Sequence, residues 1–404
     1  MTDFPTSLLF DGARDLLRQV AATHRLPIEH VALARAHGRV LAEDILAPIA
    51  LQPFDNSAMD GFACRHADLR EDDEVSLRLV GEQFAGRALE LQVGEGECIR
   101  ITTGAPMPAG ADTVVMREDT SVHADAVTIR AGLSLGANVR KAGEDAQPGD
   151  LVLRAGTLLN AVHVSLAASL GIERLPVSAK PTVAVFTTGD ELVEPGMPLQ
   201  VGEIYNSNRE LLMGLLRAEG LEPVAWPTLP DDPVRIAAML QDAASSFDVV
   251  ITCGAVSAGE KDHIPAMLQA HGAVHFWKVR MKPGMPLLAG TLGQAQFLGL
   301  PGNPVSVLAT FLTLGRTLVD GLQGRAERPR RFARLRTEIG KSHPRREFVR
   351  GTLECDDGGV QWVTPNAATG SHRLRAAADA NALLVLAEGM QSLAAGEVVE
   401  VLTF

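Results

Sequence analysis

The stretch PTVAVFTTGDEL, residues 181–192, sets the architecture of the central part of this chain. An apolar, β-branched run ends there in a polar turn. Residues 248–263 have the same pattern, because the run DVVIT is followed by the polar segment CGAVSAGEKDH. Nearby segments, such as ELLMGLLRAEG and PVRIAAMLQDAASS, have helical periodicity and follow capping residues. Strands that alternate with helices predict βαβ units, and therefore a three-layer α/β domain with a mainly parallel sheet.

Four unusual loops follow strand-like runs in this region: TTGDE, CGAVSAGEKDH, RMKPGMP and PGNPVS. The carboxyl ends of parallel strands meet at one edge of a sheet, where open α/β sheets bind their ligands. We therefore expect the four loops to form one active-site rim. The segment GAVSAGEK resembles a phosphate loop only superficially, because Glu260 and Lys261 stand where that motif has lysine and then serine or threonine.

The composition of these loops predicts their chemistry. Glu260 and Asp262, beside several glycine-flanked backbone N–H groups, suit Mg²⁺ and phosphate together. The second proline of PGNPVS suits a first helical turn, where backbone N–H groups and Ser306 would offer donors to an anion. Because Lys278 and Lys282 are nearby, the loops predict a polyanionic ligand that is handled with a divalent cation.

Each loop also has a plainer interpretation, because TTGD and PGNP are ordinary turn sequences. Asp231-Asp232-Pro233 is the usual sequence of a helix N-cap followed by proline at the first helical position. Asp60, within FDNSAMDGFA, is equally compatible with a simple turn aspartate. The residues alone leave these alternatives open.

The remaining sequence predicts three further domains. Helical periodicity in DGARDLLRQVAATH and NAVHVSLAASLG predicts two helices, which we expect to pack together in a discontinuous helical linker domain, residues 1–47 with 146–178. Residues 48–145 have short apolar runs cut by Gly, Pro and Asp, which predict a β-rich insertion domain. The α/β domain covers residues 179–324, and strand-like runs over residues 325–404 predict a small antiparallel β-barrel or sandwich.

Composition excludes some classes of function. The chain has 404 residues, a net charge of −12 and 4% aromatic residues, which argues against broad binding to nucleic acid or anionic membranes. Four cysteines without a CxxC pair predict reduced thiols, and no run of 18 apolar residues occurs, so we expect a soluble cytoplasmic protein. Residues 324–350 carry a local charge of +7, which we interpret as solvated surface with a minority of arginines that bind an oxyanion.

Eight separate motifs resemble those of the molybdopterin molybdenumtransferase family, the MoeA-type molybdenum insertases that include the gephyrin E domain. Along the chain they are DNSAMDGFA, TGAPMPAGADTVV, GEDAQPGD, TTGDEL, CGAVSAGEKDH, MKPGMP, LPGNPVS and TGSH. The resemblance covers nearly the whole chain, and eight motifs in the family's order are far more specific than one.

This resemblance implies insertion of molybdenum from molybdate into adenylylated molybdopterin, with release of AMP and a requirement for a divalent cation, usually Mg²⁺. It implies a homodimer whose cleft lies between the α/β domain of one subunit and the β-rich domain of the other. Molybdopterin adenylyltransferase and proteins that accept the finished cofactor are the partners it suggests. No nucleic-acid or membrane partner is expected.

Carried over position by position, the resemblance implies two sets of site residues. The catalytic set is Asp60, Thr103, Asp145, Glu191, Asp231 and Asp262, of which the metal ligands would come from Asp60, Glu191, Asp231 and Asp262. The substrate-binding set is Ser257, Gly259, Lys278, Lys282, Pro301, Gly302, Pro304, Ser306, Arg350 and Ser371. Asp231 and Asp262 are the two that we expect to matter most for the reaction.

The chain departs from the family pattern at two notable positions. Ala255 follows Gly254 where the pattern has a second glycine, and Met285 stands where KPGKP has its second lysine. Two alternatives to the insertase follow from the same resemblance: a molybdopterin adenylyltransferase, suggested by the α/β region alone, and a dimeric scaffold like the gephyrin E domain. The additional domains and the full set of carboxylates favour the insertase.

Overall fold

The computed structural model describes residues 4–130, 132–257, 262–368, 370–390 and 392–404. A seven-stranded sheet forms its centre, in the spatial order Thr6–Leu8, Ala273–Val279, Leu288–Leu292, Ala295–Leu300, Val249–Cys253, Val183–Thr187 and Val224–Ala225. Leu288–Leu292 is antiparallel to its neighbours, and the other pairs are parallel. The mainly parallel sheet is therefore confirmed, and the strands before the four loops end at the same edge.

Helices cover both faces of this sheet, which confirms the three-layer arrangement. Apolar residues on one face pack against Phe10–Thr23, Ser207–Ala218, Pro304–Thr310 and Arg316–Gln323. The opposite face packs against Pro233–Ala244 and Ile264–His271. Within the described residues, one stretch, Pro304–Gln323, is long and apolar enough to cross a membrane. It includes the π-helical turn Phe311–Gly315, and 72% of its apolar window is buried, as in the core helix of a globular domain.

The N-terminal helix forms as predicted but packs elsewhere. Phe10–Thr23 buries Ala13 and Leu17 on the expected face. It packs against Arg316–Gln323 in the α/β core, where Gly321 allows a close approach: a Cβ there would lie 2.5 Å from Ala21 Cβ. The predicted packing against the second helix is wrong, because an amphipathic periodicity predicts a buried face without identifying the surface that buries it.

That second helix, Ala161–Ser169, belongs to a separate small core that includes strands. Asn160 caps it, as predicted, by accepting a hydrogen bond from the His163 backbone N–H at 3.0 Å, and Gly171 follows its end with φ +74°. The neighbouring strands form two-stranded sheets: Ile28–Ala32 with Arg174–Ser178, and Ile45–Leu46 with Leu151–Leu153.

The predicted β-rich region contains a six-stranded sheet in the order Thr113–Met116, Gly61–Cys64, Glu97–Ile101, Val75–Gln83, Ala126–Ile129 and Thr120–His123. Asn56–Ser57 pairs beside it with Val139–Arg140. The remaining short elements are the strand pairs Leu192–Val193 with Ile204–Tyr205 and Ile339–Gly340 with Ser392–Leu393, and the 3₁₀ turns Leu33–Arg35, His66–Asp68 and Arg117–Asp119.

The C-terminal strands close into a small barrel, as predicted. Its five strands are Arg331–Leu335, Arg346–Cys355, Gln361–Pro365, Ala382–Leu386 and Val398–Thr403, with the short helix Leu374–Ala378 between the third and the fourth. The barrel closes because Arg346–Cys355 pairs with both Gln361–Pro365 and Ala382–Leu386. It is not wholly antiparallel, since Arg331–Leu335 and Gln361–Pro365 run parallel.

A two-residue strand joins this barrel to the α/β domain. Met281–Lys282 pairs in parallel with the start of Arg346–Cys355, so that Lys282 lies opposite Glu347. Arg346 donates to both carboxylate oxygens of Asp11, at 2.7 and 2.8 Å. These contacts place the barrel against one end of the central sheet.

A buried ionic network strengthens the α/β domain where the chain leaves it for the barrel. Glu219, 5% exposed, accepts hydrogen bonds from Arg316 Nε at 2.5 Å and from Arg328. Burial by itself would raise the pKa of Glu219, but the hydrogen bonds and charges of Arg328 and Arg316 outweigh it and lower that pKa below its ordinary value of 4.5. The carboxylate therefore stays charged in the folded protein.

We predict that Glu219→Gln lowers the free energy of unfolding by about 3 kcal/mol at pH 7, because Arg316 loses its carboxylate partner and Arg328 keeps only Asp320. Urea unfolding measures this, with the exposed Glu222→Gln as a control that changes stability by less than about 0.5 kcal/mol. The folded-state pKa lies below the ordinary value of 4.5, so the wild-type advantage is fully present above that value and is lost as the pH falls below it, through the lowered folded-state pKa. An advantage of the same size at pH 7 and pH 3 would contradict this account.

Candidate active site

A cavity of about 390 Å³ opens at the carboxyl edge of the central sheet. Three predicted carboxylates line it: Glu191, Asp231 and Asp262. Among the described residues, no lysine or arginine lines it. Four more predicted residues also line it: Ser257, Pro301, Gly302 and Pro304. We call this space the acidic cavity. All four loops contribute to it, the RMKPGMP loop through Pro286, which confirms that they meet at one rim.

Backbone contacts hold the loops of the acidic cavity together. The Thr188 backbone N–H and hydroxyl both donate to the Cys253 carbonyl, at 3.1 and 3.2 Å. Gly254 donates to the Leu300 carbonyl at 2.9 Å. Only glycine fits at position 254, because its φ is +103° and a Cβ there would lie 2.3 Å from Thr188 Oγ1.

Asp231 and Asp232 have different positions in the structure. Asp232 is the N-cap of Pro233–Ala244 and accepts hydrogen bonds from the backbone N–H groups of Val234 and Arg235, at 2.9 and 3.2 Å. Asp231 lines the acidic cavity instead. The N-cap interpretation is confirmed for Asp232, and it does not account for Asp231.

Two residues near the acidic cavity have left-handed backbone conformations, Ala255 with φ +54° and Lys278 with φ +68°. Such a conformation costs an L-residue roughly 1–2 kcal/mol, and the glycine of the family pattern would adopt it freely. Lys278 lines neither the acidic cavity nor the adjacent cavity that contains Lys282. Its Nζ lies 4.4 Å from the ring centroid of Trp277, and the indole N–H of Trp277 donates to the Val256 carbonyl at 2.8 Å. The Lys278 ammonium therefore packs on the residue that is bonded to the loop.

A second cavity, of about 430 Å³, lies between the α/β domain and the barrel. Its charged lining consists of one carboxylate, Glu347, and three cations: Lys282, Arg345 and Arg350. Ser306 and Ser371 line it as well, as the resemblance implies. We call this space the cationic cavity. It shares Pro286 and Pro301 with the acidic cavity, so the two are adjacent.

Two cations of the cationic cavity already have partners. Lys282 Nζ lies 2.9 Å from a carboxylate oxygen of Glu347. Arg350, 4% exposed, donates to the carbonyls of Arg373 at 2.9 Å, Gly370 at 3.2 Å and Ala368. Burial, and then the charge of Arg373, lowers the pKa of Arg350. Arg350 therefore holds in place the loop that carries Ser371.

Three predicted residues from the β-rich region line neither cavity of their own chain: Asp60, Thr103 and Asp145. Asp60 Oδ1 accepts hydrogen bonds from the Thr103 backbone N–H at 2.7 Å and hydroxyl at 2.8 Å. These bonds, the backbone one first, lower the pKa of Asp60 and keep it ionised. Asp145 is exposed and its backbone N–H donates to the Leu51 carbonyl at 3.2 Å.

The acidic cavity suits a hard cation that arrives with a phosphate. Within the described ranges, no three His, Cys, Asp or Glu side chains are close enough to form a metal centre. Mg²⁺ usually binds proteins through one or two carboxylates, substrate phosphates and water, so the carboxylates of this cavity fit it without such a centre. Cys253 also lines the cavity, but burial raises the pKa of its thiol to about 12, so it offers no thiolate. Gly259, predicted for this site, lies outside the described residues.

A larger cavity, about 1570 Å³, lies between the N-terminal helix and the barrel. Nine arginines line it: Arg14, Arg18, Arg25, Arg316, Arg325, Arg328, Arg330, Arg331 and Arg346. Many of them form ion pairs with carboxylates, among them Asp11, Asp320 and Glu400. None of the described site residues predicted from the sequence lines this cavity, so its size does not make it the candidate active site.

Sequence reasoning missed several residues of the two cavities. Arg345 and Glu347 lie in the basic run of residues 324–350, and the sequence predicted no individual role for either. The pairing of Met281–Lys282 with the barrel strand brings them to the site, and it joins segments that are far apart in sequence. Asn208, which donates to the Gly302 carbonyl at 2.6 Å, was also missed. Glu347 could have been recognised because it is an acidic residue at the start of a strand that lies within a run of basic residues.

Comparisons with known proteins agree with this architecture over nearly the whole chain. Residues 10–171 match the family model of the MoeA N-terminal region (domain I and II). Residues 184–320 match that of a probable molybdopterin binding domain, and residues 333–404 that of the MoeA C-terminal region (domain IV).

Individual relatives cover the same length. A protein of Haemophilus influenzae named molybdopterin molybdenumtransferase is 39% identical over 380 residues, 93% of this chain and 94% of that protein. The molybdopterin molybdenumtransferase 2 of Mycobacterium tuberculosis is 38% identical over 92% of this chain and 94% of its own. A crystal structure of the molybdopterin biosynthesis MoeA protein from Pyrococcus horikoshii OT3 superposes with a TM-score of 0.86, at 30% identity, over 98% of this chain and 100% of that one. Together with the motifs and the two cavities, these matches mean that the chain belongs to the molybdopterin molybdenumtransferase (MoeA) family.

Proposed function

We propose that this protein inserts molybdenum from molybdate into adenylylated molybdopterin and releases AMP, in the cytoplasm and with Mg²⁺ as the divalent cation. The observation that carries the proposal is the adjacency of the acidic and cationic cavities, which share Pro286 and Pro301. The reaction needs two ligands of different chemistry side by side. One is a phosphoanhydride that binds with a divalent cation, and the other is a tetrahedral oxyanion that binds to cationic side chains.

The acidic cavity is suited to the adenylylated substrate. One or two of the carboxylates Glu191, Asp231 and Asp262 would offer oxygen ligands for Mg²⁺, which when bound neutralises and polarises the phosphate groups. Without the cation these carboxylates would repel a phosphate, so substrate binding is expected to depend on it. Ser257 and the backbone N–H groups near Pro304, at the start of a long helix, would donate to phosphate oxygens.

The cationic cavity is suited to molybdate. Lys282 and Arg350 supply positive charge, while Ser306 and Ser371 supply hydroxyl donors. Glu347 balances part of this charge, which keeps the empty cavity from accumulating unpaired cations. An oxyanion bound here would lie next to the acidic cavity, where the molybdopterin is held by its adenylyl group.

We also propose that the working form is a homodimer. Asp60 and Thr103 line neither cavity of their own chain, yet Asp60 is kept ionised by Thr103 and matches a catalytic position of the family pattern. A second copy of the chain would bring this pair to the site from the β-rich sheet. Molybdopterin adenylyltransferase and cofactor-accepting proteins are the transient partners that such a reaction would need.

The proposed function predicts that purified protein releases AMP from adenylylated molybdopterin only when molybdate and Mg²⁺ are both present. Asp262→Asn is expected to slow this release by about 100-fold or more, because it removes a charged oxygen ligand from the acidic cavity. The exposed Asp242→Asn is the matched control and should retain wild-type activity. Chelation of Mg²⁺ should stop the release, and added Mg²⁺ should restore it. A folded Asp262→Asn protein that releases AMP at the wild-type rate would contradict the assignment.

The dimer proposal predicts complementation between inactive variants. Asp60→Asn and Asp262→Asn chains, each inactive alone, should regain about a quarter of wild-type activity when unfolded and refolded together, because half of the dimers then contain one intact site of two. AMP release by the mixture measures this. Activity no higher than that of the two parents would indicate that Asp60 does not act across subunits.

A further inference from the structure

Arg117 is an exposed cation of the β-rich region and lies beside Asp60. Its backbone N–H donates to the Asp60 carbonyl at 3.0 Å, and the strand pairing places Met116 opposite Gly61. The two segments approach closely, because a Cβ on Gly61 would lie 1.8 Å from the Val115 carbonyl oxygen and 3.1 Å from the Arg117 backbone nitrogen. The backbone of Arg117 is therefore held against Asp60.

The charge of Arg117 acts on the Asp60 carboxylate. The hydrogen bonds from Thr103 are the largest cause of the lowered pKa of Asp60, and the charges of Arg117 and then Arg100 lower it further. Arg100 lies 3.1 Å from a carboxylate oxygen of Glu82. In the part of the chain that the structure describes, no carboxylate lies within 4 Å of the Arg117 guanidinium. Arg117 is thus the cation beside Asp60 that has no ionic partner there.

The acidic cavity needs more positive charge than its own lining supplies. Glu191, Asp231 and Asp262 line it, and none of its described lining residues is a lysine or an arginine. The formal charge of −3 on these carboxylates exceeds the +2 of one Mg²⁺, and the phosphate groups of the substrate add further negative charge. We therefore expect a cation from another part of the protein to lie near the substrate.

The proposed dimer brings such a cation with it. In that dimer the β-rich sheet of one subunit places Asp60 and Thr103 at the acidic cavity of the other. Arg117 must accompany Asp60, because it directly follows the strand Thr113–Met116, which pairs with the strand Gly61–Cys64 that Asp60 precedes. A guanidinium donates two parallel N–H bonds to phosphate oxygens, and an arginine supplied by a second chain can neutralise phosphate charge.

We propose that Arg117 of one subunit binds the phosphate groups of adenylylated molybdopterin in the acidic cavity of the other subunit. This inference rests on the proposed function and the proposed dimer, which assign that substrate to the cavity and Asp60 to the neighbouring chain. The carboxylates then hold Mg²⁺, and Arg117 offsets the negative charge that Mg²⁺ leaves. The phosphate site is therefore incomplete in a single chain.

The first test compares Arg117→Gln and Arg117→Lys in the full-length protein. Isothermal titration with AMP in the presence of Mg²⁺ gives the affinity for the adenylyl part of the substrate, and AMP release gives KM for adenylylated molybdopterin. Loss of a charge-assisted pair of hydrogen bonds predicts that Arg117→Gln weakens AMP binding, and raises this KM, by about tenfold or more. Arg117→Lys should lie between Arg117→Gln and wild type, since it keeps the charge but not the paired geometry. KM for molybdate should change little in either variant.

Arg70→Gln is the matched control. Arg70 is exposed and lies beyond the opposite end of the strand Gly61–Cys64 from Asp60, so its removal changes the charge of the β-rich region by the same amount. Its AMP affinity and KM values should equal those of wild type. A loss of AMP affinity as large as that in Arg117→Gln would attribute the effect to net charge and contradict a direct contact.

Mixed dimers test whether Arg117 acts across subunits. When Asp60→Asn and Asp262→Asn chains are refolded together, the intact site of each mixed dimer takes Asp262 from the first chain and Asp60 from the second. Arg117→Gln added to the Asp262→Asn chain should therefore raise KM for adenylylated molybdopterin by about tenfold. The same substitution added to the Asp60→Asn chain should leave KM unchanged. Because both mixtures contain the same share of Arg117→Gln chains, an effect on folding would be equal in both.

AMP binding by folded Arg117→Gln within about twofold of wild type would overturn the proposal. Equal KM values in the two mixtures, or no complementation in either, would overturn the action of Arg117 across subunits. Failure of wild type to release AMP from adenylylated molybdopterin would instead reject the proposed function, while the AMP titrations would still decide whether Arg117 binds the adenylyl phosphate.

Discussion

The pairing of Met281–Lys282 with the start of the barrel strand Arg346–Cys355 is the contact on which the candidate active site depends. It joins a loop at the edge of the α/β sheet to a domain that begins some 50 residues later in the sequence. Lys282 meets Glu347 through this pairing, and Asp11 reinforces it by binding Arg346. Phe10 and Phe348, with ring centroids 5.2 Å apart, continue the junction into the core. Without this junction the cationic cavity would not exist, because the barrel supplies most of its charge.

The charged residues of the two cavities come from different parts of the fold. Carboxylates come from the loops at the carboxyl ends of the sheet strands and line the acidic cavity, whereas the barrel contributes both arginines of the cationic cavity. This separation permits one site to bind a metal-phosphate group and an oxyanion side by side, since neither set of charges is neutralised by the other before the ligands arrive. The overall net charge of −12 therefore says little about the local charge that a ligand meets.

Local sequence determined a large part of the fold. The β-branched runs before TTGDE and CGAVS predicted buried parallel strands, and the rule that ligands bind at their carboxyl ends predicted the acidic cavity. Asn160 and Asp232 were recognisable as N-caps because capping depends on adjacent residues. The packing of Phe10–Thr23 was not predictable, since periodicity identifies a buried face but not its partner.

The same limit applies to the site. Arg345 and Glu347 depend on a pairing between distant segments, and no local pattern distinguishes them from the solvated arginines of the same run. Asp60 and Thr103 are recognisable by motif, but in the proposed dimer their relation to the cavities would depend on a second chain that the sequence does not specify. Long-range pairing and assembly are thus the two properties that local physical chemistry does not encode.

The central claim is that the oxyanion binds in the cationic cavity and not in the larger arginine-lined one. The most direct measurement is anomalous diffraction from crystals of the wild-type protein soaked in tungstate, a heavy analogue of molybdate. The account predicts a tungsten peak within the cationic cavity, beside Lys282, Ser306 and Ser371. A peak among the arginines between the N-terminal helix and the barrel, with none in the cationic cavity, would contradict it.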